Sequence, residues 1–262
     1  MSPDVTFPRY PIMDTAIADV SMAEALELID RFVEDGSPRV IVTANVDHLM
    51  LMRKNAAFRE AYRRADLVTC DSVPLKWALA FLGTPIKERV AGADLFIALA
   101  PRAAAKGYRL FYLGSAPGVA ERAAEALRRR FPTLNVVGTY SPPVMSAEEL
   151  AEDEDTLRRV REAKPDVLFA AFGAPKQELW LDAVRERLAV PVSIGVGAAF
   201  DFAAGTVKRA PRWMQRGGLE WFYRLTQEPG RLWRRYLLVD SRFGCHVLRE
   251  KLRRPKAAKT RG

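Results

Sequence analysis

Five short apolar runs in this chain each close on small or hydrogen-bonding residues. They are 38-PRVIVTAN-45, 66-DLVTCD-71, 108-YRLFYLGS-115, 166-DVLFAAF-172 and 191-PVSIGVG-197, and 134-LNVVGTY-140 has a similar character. A run that is apolar almost throughout is what a strand covered on both faces requires. Helical spacing appears between the runs, at 47–65, 72–82, 117–130, 146–163 and 175–188. Strand, helix, strand, repeated this often, predicts an α/β fold: a Rossmann-like, mostly parallel sheet flanked by helices. Ser146 and Glu149 have the spacing of a capping box, and Pro117 suits the first turn of 117–130.

With 262 residues, 49% of them hydrophobic, the chain can bury a sizeable core. No apolar run reaches the ~18–20 residues of a spanning helix. The N-terminus has no basic start followed by an apolar stretch, so no signal peptide is read. Cys70 and Cys245 lie far apart and read as reduced thiols of a cytosolic protein.

The formal charge of +9 sits at one end: residues 231–262 hold eleven Lys and Arg against two acids, and the rest is balanced. An anionic partner is therefore expected at that end only. After about residue 205 arginines interleave with aromatics, among them Trp213, Trp221 and Trp233. We read an α/β body over 1–205 and a basic, aromatic-rich, helical C-terminal appendage over 206–262.

Open parallel sheets bind ligands beyond the carboxyl ends of their strands. The polar residues expected there are Thr43, Asn45, Asp71, Ser72, Gly114, Ser115, Gly197, Asp201 and the cluster Lys176–Gln177–Glu178 that follows Gly173. Each has a structural reading too. Thr43, Asn45 and Asp71 suit helix caps, and Gln177 and Glu178 suit an ordinary first turn. Asp94 suits a cap or a pair with Arg89, and His48 suits core or surface. The joint 114-GSAP-117 could cradle a diphosphate through backbone N–H groups. It lacks the complete dinucleotide fingerprint, and no phosphate loop or Cys/His zinc cluster is present.

Longer segments carry a resemblance. They are 43-TANVDHLMLMRKN-55, 65-ADLVTCDSVPL-75, 88-ERVAGADL-95, 111-FYLGSAPG-118, 172-FGAPKQELW-180, 195-GVGAAFDFAAGTVKRAP-211 and 219-LEWFYRLTQEPGRLWRRY-236. Together they cover most of residues 40–238, and the chain resembles the WecG/TagA/CpsF glycosyltransferases, which include N-acetylmannosaminyltransferases of bacterial surface polysaccharide synthesis. At 71-DSVP-74 the family often has Asp-Gly; the Asp is kept.

The resemblance implies an inverting enzyme without metal or cofactor. It would move a sugar from a UDP-sugar to a polyprenyl-diphosphate-linked sugar. N-acetylmannosamine is the first choice of sugar, with glucose or a uronic acid as alternatives. Asp71 becomes the base, accompanied by Thr43, Asn45, Arg89 and Gln177. Gly114, Ser115, Gly197 and Asp201 become donor-binding residues. Arg224, Arg231 and Arg234 of the appendage would neutralise the leaving diphosphate with fork-shaped donors. The implied setting is cytoplasmic and peripheral on the inner face of the cell membrane, with the appendage on anionic lipid. A homo-oligomer is compatible with the resemblance, and nucleic acid is not an expected partner. The rival readings are a nucleotide-binding oxidoreductase on a shared fold, a nucleic-acid module using the basic end, and a membrane scaffold without activity.

Overall fold

The computed structural model describes residues 7–227, 230 and 242–254, with Arg224 placed by its backbone alone. A hairpin comes first, β1 (Arg9–Ile12) antiparallel to β2 (Thr15–Ala18), followed by helix α1 (Met22–Asp35). Ser21 opens α1 with a capping box: the Glu24 N–H donates to Ser21 Oγ and the Ser21 N–H to Glu24 Oε2. Neither the hairpin nor α1 is foreseen in the sequence reading.

The remaining strands and helices alternate, with α5 and α10 added to those expected from the sequence. They run β3 (Arg39–Ala44), α2 (Val46–Met52), α3 (Ala56–Arg64), β4 (Leu67–Cys70), α4 (Val73–Phe81), α5 (Gly92–Lys106), β5 (Leu110–Gly114), α6 (Val119–Arg130) and β6 (Val136–Tyr140). Then come α7 (Ala147–Ala151), α8 (Glu154–Ala163), β7 (Val167–Ala171), α9 (Lys176–Leu188), β8 (Val192–Gly195) and α10 (Ala199–Ala204). The C-terminal part adds α11 (Arg212–Arg216), α12 (Glu220–Gln227) and α13 (Phe243–Arg253).

Two segments expected as single helices are split by internal caps. Asn55 accepts from the Phe58 N–H and starts α3 afresh; Asp153 does the same for Thr156 and α8. The helix expected from Pro117 starts at Val119, because Gly118 (φ +78°) turns the chain first. The capping box at Ser146 and Glu149 is present.

The six-stranded sheet is parallel throughout, in the order β4-β3-β8-β7-β5-β6. Its strands divide their side chains between two cores. Leu168 and Ala170 of β7 join one with Phe58, Leu75 and Trp180; Val167, Phe169 and Ala171 join the other with Phe96, Val119 and Phe200. Helices α2, α3, α4 and α9 therefore cover one face, and α1, α5, α6 and α10 the other. Between the neighbours β5 and β7, the following helices leave to opposite faces. The same happens between β3 and β8. Such divergence opens a crevice at the carboxyl ends of the strands. At the end of the chain, Phe243 and Val247 of α13 pack into the first core.

Candidate active site

The carboxyl ends of β3 and β4 bring Thr43 and Asp71 together. The Thr43 hydroxyl donates to Asp71 Oδ2 at 3.1 Å. Thr43 is itself fixed through its carbonyl, which lies 3.0 Å from His48 Nδ1 and 3.1 Å from the Tyr62 hydroxyl that donates to it. His48 is buried, so it is a core residue that holds this strand end. Asn45 caps α2, its side chain accepting from the His48 N–H at 3.0 Å.

Arg89 stands on the other side of Asp71. Its Nη1 donates to the Asp71 carbonyl at 3.2 Å and lies 3.8 Å from Oδ1. Its Nη2 donates to Asp94 Oδ2 at 2.7 Å. Asp94 also takes a two-pronged contact from Arg209, whose Nε donates to Glu220 Oε1 at 3.1 Å. An alternating chain of charges thus runs Asp71, Arg89, Asp94, Arg209, Glu220. It ties the base candidate to the segment that leaves the body. The pairing of Asp94 with Arg89 agrees with the sequence reading. Arg209 and Glu220 were given no role there; they lie in quoted motifs, but nothing in their spacing marks them as partners of Asp94.

Asp71 is enclosed by protein on most sides, yet 29% of its side-chain surface remains reachable by water. Enclosure penalises its charged form and pushes its pKa up from 3.8 to about 6. Arg89 and the Thr43 hydroxyl pull the other way, while Glu220 and Asp94 add to the rise. A mostly enclosed carboxyl whose pKa is raised to about 6, with a hydroxyl and a guanidinium beside it, is suited to take a proton.

Helix α5 enters this corner at Gly92. A Cβ there would stand 3.3 Å from each of Thr43 Oγ1, the Gly195 carbonyl and Val196 Cα, so a side chain at Gly92 would press on the ends of β3 and β8.

Gln177, foreseen as a substrate contact, stands at the start of α9. Its side chain is 3% exposed and is taken up by protein. Oε1 accepts from the N–H groups of Gly173 and Gly197, both at 3.1 Å, and Nε2 donates to Glu178 Oε1 at 2.9 Å. Gln177 thus clips together the loops that follow β7 and β8. Gly195 leaves room for it: a Cβ there would meet Gln177 Nε2 at 2.9 Å. Glu178 is 1% exposed, its Oε2 has no partner, and burial pushes its pKa up to about 7. Lys176 lies over the Phe172 ring at 5.1 Å.

A second polar group forms at the ends of β5 and β8. Gly114 ends β5, and Ser115, in the left-handed region at φ +61°, points its hydroxyl to Asp201 Oδ2 at 3.0 Å. Thr206, also unassigned in the sequence reading, donates to Asp201 Oδ1 at 3.2 Å. Gly197 belongs to the Gln177 clip.

The structure therefore brings Asp71, Thr43 and Arg89 into contact, and separately Ser115 and Asp201. Arg224 is a position on α12, and Arg231 and Arg234 lie outside the described residues. The acidic run 152–155 contains an Asp-x-Asp triplet, which is spent on structure: Asp153 caps α8, Glu154 pairs with Arg161 and Arg187, and Asp155 with Arg158 and Arg159. Among the described residues, no helix is long and apolar enough to cross a membrane.

Comparison with known proteins identifies the relatives of this chain. The family model described as Glycosyl transferase WecG/TagA/CpsF family matches residues 10–257. A protein of Bacillus spizizenii named N-acetylglucosaminyldiphosphoundecaprenol N-acetyl-beta-D-mannosaminyltransferase is 32% identical over 210 residues, covering 80% of this chain and 79% of its own. A Bacillus subtilis protein of the same name is 29% identical over 219 residues, covering 84% and 82%. Among solved structures, a mutant of arylmalonate decarboxylase superposes over 73% of this chain and 79% of its own with a TM-score of 0.27 at 19% identity, too distant to carry an argument.

Proposed function

Because the chain belongs to the glycosyl transferase WecG/TagA/CpsF family, we propose that it transfers a sugar from a UDP-sugar to a sugar carried on a polyprenyl diphosphate, with inversion and without a divalent ion. N-acetylmannosamine is the proposed sugar, and N-acetylglucosaminyl-diphosphate-lipid the proposed acceptor, after the names of the two relatives. The observation that carries the reading is Asp71: a mostly enclosed carboxyl raised to about 6, fixed by Thr43 and flanked by Arg89.

In the proposed step the acceptor hydroxyl attacks the anomeric carbon. An O–C1 bond forms, the bond from C1 to the β-phosphate oxygen breaks, and its electron pair leaves on UDP. The acceptor proton passes to Asp71. With its pKa raised toward neutrality, Asp71 is a stronger base than an exposed aspartate while staying ionised above pH 6. Arg89 stands beside Asp71, where it could oppose developing negative charge. Arg224, Arg231 and Arg234 are proposed to meet the diphosphate in place of a metal. Ser115 and Asp201 offer a hydroxyl and a carboxylate to a nucleotide ribose. Gln177 acts indirectly, by holding the two loops between these groups.

The test is a panel of UDP-sugars offered with a short-chain lipid-diphosphate sugar, with and without chelator. Transfer of one sugar with inverted configuration, undiminished by chelator, is the expected result. No transfer from any UDP-sugar, or loss of turnover on chelation, overturns the reading.

A further inference from the structure

Glu178 is a carboxyl set in apolar surroundings. Leu179, Trp180 and Leu181 follow it on α9 and lie in or against the first core. At 1% exposure Glu178 itself is out of reach of any substrate. Burying a carboxyl is costly unless its oxygens are bonded, and Oε2 has no partner. Nor does a neighbouring charge compensate it. Asp47 of α2, whose field reaches it, has the same sign. Tyr62 of α3 is held protonated by burial, and Glu178 adds to that effect.

What the carboxyl does have is a bond to its neighbour in the chain. Gln177 Nε2 donates to Glu178 Oε1 at 2.9 Å, and among the described residues this oxygen is the acceptor of that NH2 group. A glutamine as buried as Gln177 needs partners at both ends of its amide. The oxygen has two donors, the N–H groups of Gly173 and Gly197. The nitrogen has Glu178. Turned end for end, the amide would set its NH2 against two N–H groups and its oxygen against a carboxyl oxygen. On the side of β8 it meets Gly195, where a Cβ would stand 2.9 Å from Nε2. Without an acceptor at Glu178 the NH2 group would be stranded in this enclosed seat. The amide would then gain by swinging away, and both glycine N–H groups would be released.

The loops held in this way lead to the candidate site. Gly173 and Gly197 both turn the chain through positive φ, +76° and +54°. Gly197 stands two residues before α10, which carries Asp201 to the Ser115 hydroxyl. We infer that Glu178 is a positioning residue: from inside the core its carboxyl oxygen fixes the Gln177 amide, and through it the two loops that seat the Ser115–Asp201 pair for the donor. The part that concerns the donor rests on the function proposed above; the fixing of the loops does not. The task needs an oxygen at the right reach and no charge. Burial raises the pKa of Glu178 to about 7, and the protonated acid still offers an acceptor oxygen.

Three variants separate reach from charge. Glu178→Gln keeps an acceptor oxygen at the same reach and loses the charge. Glu178→Asp keeps the carboxyl and draws it back by one methylene. Glu178→Leu removes the acceptor and fills the space. Hydrogen exchange at the Gly173 and Gly197 N–H groups, read by NMR on the full chain without substrate, reports the clip. Exchange should stay within about threefold of wild type in Glu178→Gln and quicken about tenfold or more in Glu178→Asp and Glu178→Leu. The N–H groups of β7 should quicken less. Wild-type exchange at both glycines in Glu178→Asp or Glu178→Leu overturns the inference, as does fast exchange in Glu178→Gln. An equal rise in β7 shows a role in stability alone and overturns it too. Should Glu178→Leu not fold, the glutamine and aspartate variants decide. In transfer, Glu178→Asp should raise the donor KM about tenfold with kcat less affected, and Glu178→Gln should restore it. Adding Glu178→Asp to Gln177→Leu should raise KM no further, and a further rise contradicts action through Gln177. Exchange is read without turnover, so failure of the transferase reading would leave the exchange result standing.

Discussion

Replacing Asp71 by asparagine tests the enclosure of this carboxyl directly. In the folded protein Asp71 titrates near 6 instead of 3.8. Between those values the folded chain holds a proton that the unfolded chain has already released. Stability therefore falls as pH rises from about 4 through about 6, and then levels. Asparagine does not titrate, so the stability of Asp71→Asn minus that of the wild type must widen across this window. A rise of about two pKa units corresponds to about 3 kcal/mol at most. With 29% of the side-chain surface reachable by water, we expect about 1–3 kcal/mol. Urea unfolding followed by tryptophan fluorescence, repeated from pH 4 to pH 8, reads the difference. The raised carboxyl of Glu178 titrates in both proteins and cancels. A difference that stays flat with pH would refute an enclosed, proton-holding Asp71.

Two further substitutions probe the groups around it. Gln177→Leu removes the acceptor shared by the Gly173 and Gly197 N–H groups. We expect a loss of about 2 kcal/mol with slower transfer; unchanged thermal unfolding would dismiss the clip. Arg209→Ala breaks the contacts to Asp94 and Glu220, whose partners are only partly exposed. It should cost about 1–3 kcal/mol and lower kcat more than it raises KM, because Asp94, which holds Arg89, loses its own second partner. Wild-type kcat in a folded Arg209→Ala protein would remove this charge chain from the account.

The sheet was legible because its strands are buried on both faces, which leaves an uninterrupted apolar run with a polar end. The same ends named Thr43, Asp71, Ser115 and Asp201, and the structure sets them at the rim of the sheet. The first hairpin, α1, α5 and α10 were not placed, because the sequence reading assigned no secondary structure to their segments. The helix breaks at Asn55 and Asp153 were missed because caps inside an amphipathic stretch look like ordinary polar positions. The pairing of Asp94 with Arg209 spans 115 residues and has no local signature. Gln177 was read as a substrate contact because the family resemblance places its glutamine there; its spacing alone suits an ordinary first turn. Only the fold shows that two backbone N–H groups already occupy its carbonyl oxygen. The raised pKa of Asp71 is likewise a property of enclosure, which no spacing records.

The claim at the centre is that Asp71 takes the proton of the acceptor hydroxyl. The most direct measurement is the pH dependence of kcat/KM for transfer, which reports ionisations of the free enzyme. Wild-type activity should rise as pH increases through about 6, and Asp71→Asn should be slower by ~10²–10⁴ with that rise abolished. A wild-type profile that is flat through this range, or an acid limb that survives in Asp71→Asn, would contradict it.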